Sequence, residues 1–217
     1  MSSPDLCVCC VLWVGRWKKP RPYNSRWVYL LKAMVARNLS QPFRFVCLSN
    51  VYVDGIDTIR LDMGLPGWWS KIEVFSHNLG KRVLYLDLDV LVTGSLDEIV
   101  AFPADIAFSP PHHVIVGVPE PRSLPGLRPH YQTSCFVWSP PAGYEILSRF
   151  TRSAMDRLHG DQDWIAEVSP DYAIMPREWF GKLRHCLQGP KPEMKVVFGG
   201  AVKNDNGPRW AKEVWAA

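Results

Sequence analysis

The segment Arg82-Val83-Leu84-Tyr85-Leu86-Asp87-Leu88-Asp89-Val90-Leu91-Val92 constrains this chain more than any other. It reads as a buried strand, yet it carries two carboxylates at its end. In extended backbone, residues i and i+2 project to the same side, so Asp87 and Asp89 are expected to converge on one ligand while Leu88 faces away. Buried carboxylates held close together repel and take up a proton unless a cation neutralises them, which makes a divalent metal the economical partner. A hard ion such as Mn²⁺ or Mg²⁺ prefers these oxygens and fills its shell with phosphate oxygens. Alone, the Asp-x-Asp pattern is weak evidence, because Asp at strand ends also caps or turns the chain.

The flanking patterns place this strand in an alternating series. Leu6 to Val14 is a first apolar strand holding Cys7, Cys9 and Cys10. Trp27, Leu30, Leu31, Met34 and Val35 form the stripe of an amphipathic helix, with Asn24 or Ser25 as its cap and Asn38 and Pro42 closing it. Strands are expected at Phe43 to Leu48 and around Thr58 to Leu61. After the Leu65-Pro66-Gly67 turn, Trp68, Ile72, Phe75 and Leu79 predict a second helix ended by Gly80. Ser95-Leu96-Asp97-Glu98 has the spacing of a capping box. Further strands are expected at Ile106 to Phe108, Ser134 to Trp138 and Lys195 to Phe198. Leu147, Phe150, Ala154 and Leu158 predict one long helix, and a polar tail follows the last strand. Such alternation implies an α/β fold, a mostly parallel central sheet flanked by helices, with ligands beyond the carboxyl ends of the strands.

Length and composition fit one domain over residues 1–217, with 47% hydrophobic residues and 21% charged. Residues 109–131 hold six prolines and three histidines without periodicity, which predicts a long loop or lid. The six cysteines lack metal or redox spacing and read as reduced core thiols. The first apolar run is too short to span a bilayer and lacks the flanks of a signal peptide, so stable membrane insertion is not expected and a cytoplasmic protein is. A formal charge of +4 favours anionic ligands, diphosphates and nucleic acid among them. Arg16, Lys18, Lys19, Arg21 and Arg26 crowd one segment with Trp17, Tyr23 and Trp27 between them, either as a solvated loop or as a surface for phosphates and bases. Neither a G-x-G-x-x-G after the first strand nor a P-loop occurs, which argues against a dinucleotide enzyme or a P-loop ATPase. The sequence carries no signal of oligomeric state.

Val83 to Val92 with Gly94-Ser95-Leu96-Asp97 resembles the metal-binding segment of family 8 glycosyltransferases, which have the Rossmann-like GT-A fold. Tyr23 to Trp27, Arg37-Asn38-Leu39 and Leu65 to Trp69 resemble, in that order, motifs of a short bacterial and phage-type branch. The resemblance covers roughly residues 7 to 210 and rests on motif order. It implies transfer of a hexosyl or pentosyl group from a nucleotide-diphosphate sugar, expected to be UDP-linked, to an acceptor hydroxyl with retention of configuration. The acceptor is a saccharide or a hydroxylated base in DNA.

The same resemblance suggests roles for individual residues. Asp87 and Asp89 bind the metal; Asn50 helps hold the nucleoside; Lys71 lies near the donor. Gln132 stands where an Asn usually contacts the donor sugar. In Gly160-Asp161-Gln162-Asp163, Asp161 binds sugar hydroxyls and Gln162 lies near the anomeric carbon. Lys203 of Gly200-Ala201-Val202-Lys203 contacts the diphosphate. The family's metal-binding His, three residues before that Gly, is here Val197. Asn204, Asp205 or Asn206 replaces it, or phosphates and water complete the shell. Two other classes share these features. A haloacid-dehalogenase-like phosphatase would use Asp87 as nucleophile and Asp89 as acid/base, although 86 residues precede Asp87 and Leu91 stands where such enzymes place Thr. A silent nucleotide-sugar or nucleic-acid binding protein is the third.

Overall fold

The computed structural model describes residues 5–17, 19–20, 23–116, 131–168, 171–199 and 207–216. Strand β1 (Leu6–Leu12) leads into a small hairpin of β2 (Arg16–Trp17) and β3 (Lys19–Pro20), then helix α1 (Ser25–Asn38). Next come β4 (Arg44–Ser49), β5 (Asp57–Arg60), a 3₁₀ helix at Gly67–Ser76, β6 (Arg82–Leu86), β7 (Val90–Val92), α2 (Asp97–Val100), β8 (Ile106–Ser109) and α3 (His112–Val116). The second half contains β9 (Gln132–Trp138), α4 (Tyr144–Ser148), α5 (Ala154–Arg157), α6 (Asp161–Val168), β10 (Ala173–Ile174), β11 (Phe180–Lys182), β12 (Val196–Phe198) and α7 (Arg209–Ala216).

The central sheet has the order β10-β8-β9-β6-β1-β4-β5. All its pairings are parallel except those of β9, which runs antiparallel between β6 and β8. β1 lies inside this sheet and is covered on both faces, which explains its unbroken apolar sequence. Val8, Cys10 and Leu12 join the core formed with Trp27, Val28, Leu31, Met34 and Val35 of α1. Cys7 and Cys9 face the opposite core, built from Trp69, Ile72, Phe75, Phe136 and Trp138. Phe136 is the hub of that second core, with ring centroids 4.7 Å from Tyr85, 5.0 Å from Phe108 and 5.3 Å from Trp138. A second sheet, β11-β12-β7, springs from the chain just past Asp89.

All six cysteines are free and buried, as the sequence predicts. Asn24 caps α1, its Oδ1 accepting from the Arg26 amide at 3.1 Å. Other expectations are corrected. The helix expected over Trp68 to Leu79 is a 3₁₀ helix ending at Ser76. At three residues per turn, Trp69, Ile72 and Phe75 eclipse one another and all reach the second core. The single long helix expected around Leu147 to Leu158 is broken into α4 and α5. At the break, Phe150 turns in against Trp69 and Trp164, and Thr151 Oγ1 and Ser153 Oγ bond locally at 2.9 Å. The capping box forms only in part: Ser95 Oγ accepts from the Asp97 amide at 3.1 Å, but Glu98 turns to Lys195. Within 109–131, residues 112–116 are helical and 117–130 lie outside the described residues. The polar tail contains α7, whose Trp215 packs edge-on against Trp27 with centroids 4.2 Å apart.

Candidate active site

The site forms where β6 ends, beside the carboxyl ends of β1 and β4, the crevice in which open α/β sheets place their ligands. Asp87 and Asp89 lie there, but not in a continuous pleated strand. Regular pairing stops at Leu86; residues 88 and 89 form a turn in which the Val90 amide donates to the Asp87 carbonyl at 3.4 Å. Leu88 is buried, as the alternation implied. The Asp87 amide donates to the Ser134 carbonyl of β9 at 2.9 Å, and the Gly199 amide after β12 donates to the Asp89 carbonyl at 3.1 Å. Each aspartate is thus tied to a different sheet.

Lys71 joins residues far apart in sequence. Its Nζ lies 3.1 Å from Asp87 Oδ1 and 3.2 Å from Asp161 Oδ2. It also donates to the Thr133 carbonyl at 3.0 Å and to Thr133 Oγ1 at 3.2 Å. Thr133 Oγ1 in turn donates to Asp161 Oδ2 at 2.7 Å, and Tyr85 Oη donates to Asp87 Oδ1 at 2.8 Å. The 3₁₀ helix, β6, β9 and the start of α6 therefore supply one hydrogen-bonded cluster. Burial opposes the Lys71 charge, but Asp161 and Asp87 outweigh it and hold the ammonium's pKa above its ordinary value. Burial likewise opposes the Asp87 charge; Lys71, Tyr85 and Ser134 outweigh it and keep the carboxyl below the usual range. Tyr85 is pushed well up, by burial first and by the Asp87 charge next. Beneath Asp87, the Cys10 and Cys135 thiols are also raised by burial, with a further push from Asp87.

Asp89 has a different setting. Tyr23, just before α1, donates its Oη to Asp89 Oδ2 at 2.8 Å. The β2–β3 hairpin leads into this contact, and Trp17 packs over Gly67: a Cβ there would lie 2.4 Å from Trp17 Cδ1, and the residue's φ of +60° also calls for glycine. Val197 is fully buried in β12, opposite Leu91.

Of the residues expected at the site, Asp87, Lys71 and Asp161 are brought into direct contact, and Asp89 sits one turn away. Gln162 lies half-buried next to Asp161, and Gln132 half-buried next to Thr133. Asn50 clamps the end of β1: its Oδ1 accepts from the Val14 amide at 2.8 Å and its Nδ2 donates to the Val14 carbonyl at 2.7 Å. Lys203 and the rest of 200–206 lie outside the described residues. Sequence reasoning gave no individual role to Tyr23, Tyr85 or Thr133, placing Tyr23 only in the basic-aromatic stretch and Thr133 only in the segment beginning at Gln132. Tyr85 was the most accessible of these, since it shares a face with Asp87 at i+2.

Asp87 and Asp89 are the residues that would hold a divalent cation. Among the described residues there is no cluster of three or more His, Cys, Asp or Glu side chains suited to a metal. Two carboxylates fit a hard ion that takes its remaining oxygens from a diphosphate and water.

No protein-family model matches this sequence, and no curated protein matches it. Solved structures do match its fold. A galactosyltransferase, LgtC, in complex with donor and acceptor sugar analogues superposes with a TM-score of 0.67 at 11% identity, over 97% of this chain and 94% of the other. A glutamine-to-glutamate active-site mutant of LgtC gives 0.65 at 10% identity, over 97% and 94%. The glycosyltransferase GlyE of Streptococcus pneumoniae TIGR4 gives 0.59 at 14% identity, over 97% of this chain and 60% of GlyE. The chain therefore has the GT-A glycosyltransferase fold.

Proposed function

We propose that this protein is a glycosyltransferase that moves a sugar from a nucleotide-diphosphate donor, UDP-linked, to a saccharide hydroxyl. The observation that carries this reading is the convergence of Asp87 and Asp161 on Lys71 at the carboxyl end of β6. A metal-binding carboxylate and a sugar-binding carboxylate joined through one ammonium suit the adjoining diphosphate and sugar of a nucleotide sugar. Asp87 and Asp89 would hold Mn²⁺ or Mg²⁺, which would supply charge stabilisation for the departing diphosphate. Asp89 would hold that cation with a carboxylate steadied by Tyr23. Asp161 holds the sugar, and Gln162 stabilises positive charge at its anomeric carbon, since a carboxamide is a poor general base. The bond from anomeric carbon to diphosphate oxygen breaks with its electron pair on that oxygen. The acceptor oxygen forms the new bond from the same side and passes its proton to the departing oxygen. Lys203 contacts the diphosphate, Gln132 the donor sugar, and Asn50 shapes the nucleoside end.

A saccharide acceptor is favoured over a base in DNA because the aromatic residues of the basic stretch are engaged inside the protein. Tyr23 holds Asp89, Trp17 covers Gly67 and Trp27 is buried in the first core. The reading is tested by incubating the protein with a panel of nucleotide sugars, Mn²⁺ and saccharide acceptors, and measuring nucleotide diphosphate release. Asp89→Ala should lower release at least about a hundredfold. Absence of release with every donor sinks the transferase reading, and turnover of a generic phosphoester points to the phosphatase class instead.

A further inference from the structure

The described part of the site is short of positive charge. Asp87 and Asp161 share one ammonium, that of Lys71, which is also bonded to Thr133, while Asp89, two residues on, is held by the Tyr23 hydroxyl. A diphosphate arriving here adds further negative charge. At the position where the resemblance leads one to expect a histidine ligand, buried Val197 offers none.

Lys182 stands on the Asp89 side of this imbalance. It ends β11, and its register partner in β12 is Phe198, which pairs in turn with Val90, the residue after Asp89. Its Nζ lies 5.1 Å from the centroid of the Phe198 ring, so the side chain runs across the sheet toward the Asp89 turn instead of outward. The next residue after Phe198, Gly199, donates its amide to the Asp89 carbonyl at 3.1 Å, closing the second sheet onto the aspartate turn. Burial lowers the Lys182 pKa, and of the charges acting on it Asp89 is the strongest, ahead of Arg184 and Asp87. On its far side it belongs to a basic group with Arg184 and His112, whose Nη2 and Nε2 are 2.8 Å apart.

Resting on the transferase reading above, we propose that Lys182 is a diphosphate-binding residue, its ammonium completing the positive charge that a third metal ligand's site would otherwise help to concentrate beside Asp89. A lysine cannot ligate a cation while charged, so the substitution of an ammonium for a ligand shifts part of the diphosphate's hold from metal to protein. Two consequences of opposite sign follow. Removing the charge should weaken diphosphate binding, and it should strengthen metal binding to Asp87 and Asp89, because the ammonium repels a divalent cation.

Calorimetric titration with UDP, in chelator and in Mn²⁺, and with Mn²⁺ alone, reads both. In Lys182→Met, UDP affinity in chelator is expected to fall about tenfold or more, a loss typical of a charge-assisted hydrogen bond. Mn²⁺ affinity without nucleotide should rise in the same variant, and Lys182→Arg should keep UDP affinity within about threefold of wild type. Lys182→Gln is read in the same way should the Met variant fail to fold, judged by circular dichroism. Unchanged UDP affinity in the folded neutral variant overturns the assignment. A fall in both UDP and Mn²⁺ affinity overturns it too, because it marks a purely structural lysine. Wild-type protein that binds neither UDP nor any other nucleoside diphosphate removes the transferase reading itself, a result distinct from either.

Discussion

The two aspartates of the site sit in contrasting surroundings. Asp87 lies on a floor made by the central sheet, where Lys71, Tyr85, Thr133 and Asp161 saturate one another over the buried Cys10 and Cys135. Asp89 lies on a rim made by the second sheet and the segment before α1, where Tyr23 donates to one of its oxygens and Lys182 feels its charge. The floor is ordered before any ligand arrives, so its geometry costs nothing to assemble at binding. The rim combines elements that meet only through long connections, and it is the side on which the charge of a ligand must be balanced. One pair of residues thus divides between positioning and charge compensation.

The sharpest way to break this contrast is to remove the ammonium from the floor. Lys71→Met leaves Asp87 and Asp161 buried together without their shared cation. Loss of one partner from a buried ion pair costs about 3–5 kcal/mol, and the variant should lose that in urea unfolding together with its transferase activity. Lys71→Arg keeps the charge and should recover part of the stability. A Met variant within about 1 kcal/mol of wild type would mean that the floor is not held by this ammonium.

How much of this was legible before the structure depends on which residues are considered. The strands at Leu6–Leu12, Arg44–Ser49 and Arg82–Leu86, and the stripe of α1, were readable because local periodicity and burial agree there. The 3₁₀ helix reads as α-helix in the sequence because Ile72 and Phe75, three apart, share a face at either period; Trp68 fits that face only at the α period, and in the structure Trp69 takes its place. α7 was overlooked inside a charged tail, although Trp210, Ala211, Val214 and Trp215 recur at helical spacing. Within the site, Asp87, Asp89, Lys71 and Asp161 came from motif order. The contact of Asp87 and Asp161 with Lys71 did not, since it is made by sheet topology that brings β9 beside β6. Tyr23 was visible only as part of a basic-aromatic stretch, because a hydroxyl that steadies a carboxylate 66 positions away has no local signature.

A second test addresses the dryness of the floor. The Cys135 thiol is raised by burial and further by Asp87, from an ordinary value of 9.0. Above pH 9 the unfolded chain therefore binds fewer protons at this thiol than the folded chain does. The stability that the neutral buried thiol contributes is full below pH 9 and is lost as pH rises through the alkaline range. Replacing it by Cys135→Ala should flatten the alkaline decline in unfolding free energy by up to about 1.4 kcal/mol per pH unit. An identical slope in the variant would show that water reaches the thiol beneath Asp87.

The finest comparison deletes the same hydroxyl on each side. Tyr85 Oη and Tyr23 Oη each donate to an aspartate oxygen at 2.8 Å, but Tyr85 is almost wholly buried and Tyr23 only partly. Tyr85→Phe removes a charge-assisted bond where water cannot replace it, and should cost about 1.5–3 kcal/mol of stability. Tyr23→Phe removes one where solvent can, and about 0.5–1 kcal/mol is expected, with the donor KM rising about threefold as Asp89 loses its orientation. The difference between the two losses, about 0.5–2.5 kcal/mol, measures how far the floor is sealed relative to the rim. Equal losses would place both aspartates in one environment, and the division between a preorganised side and a charge-balancing side would then have no energetic basis.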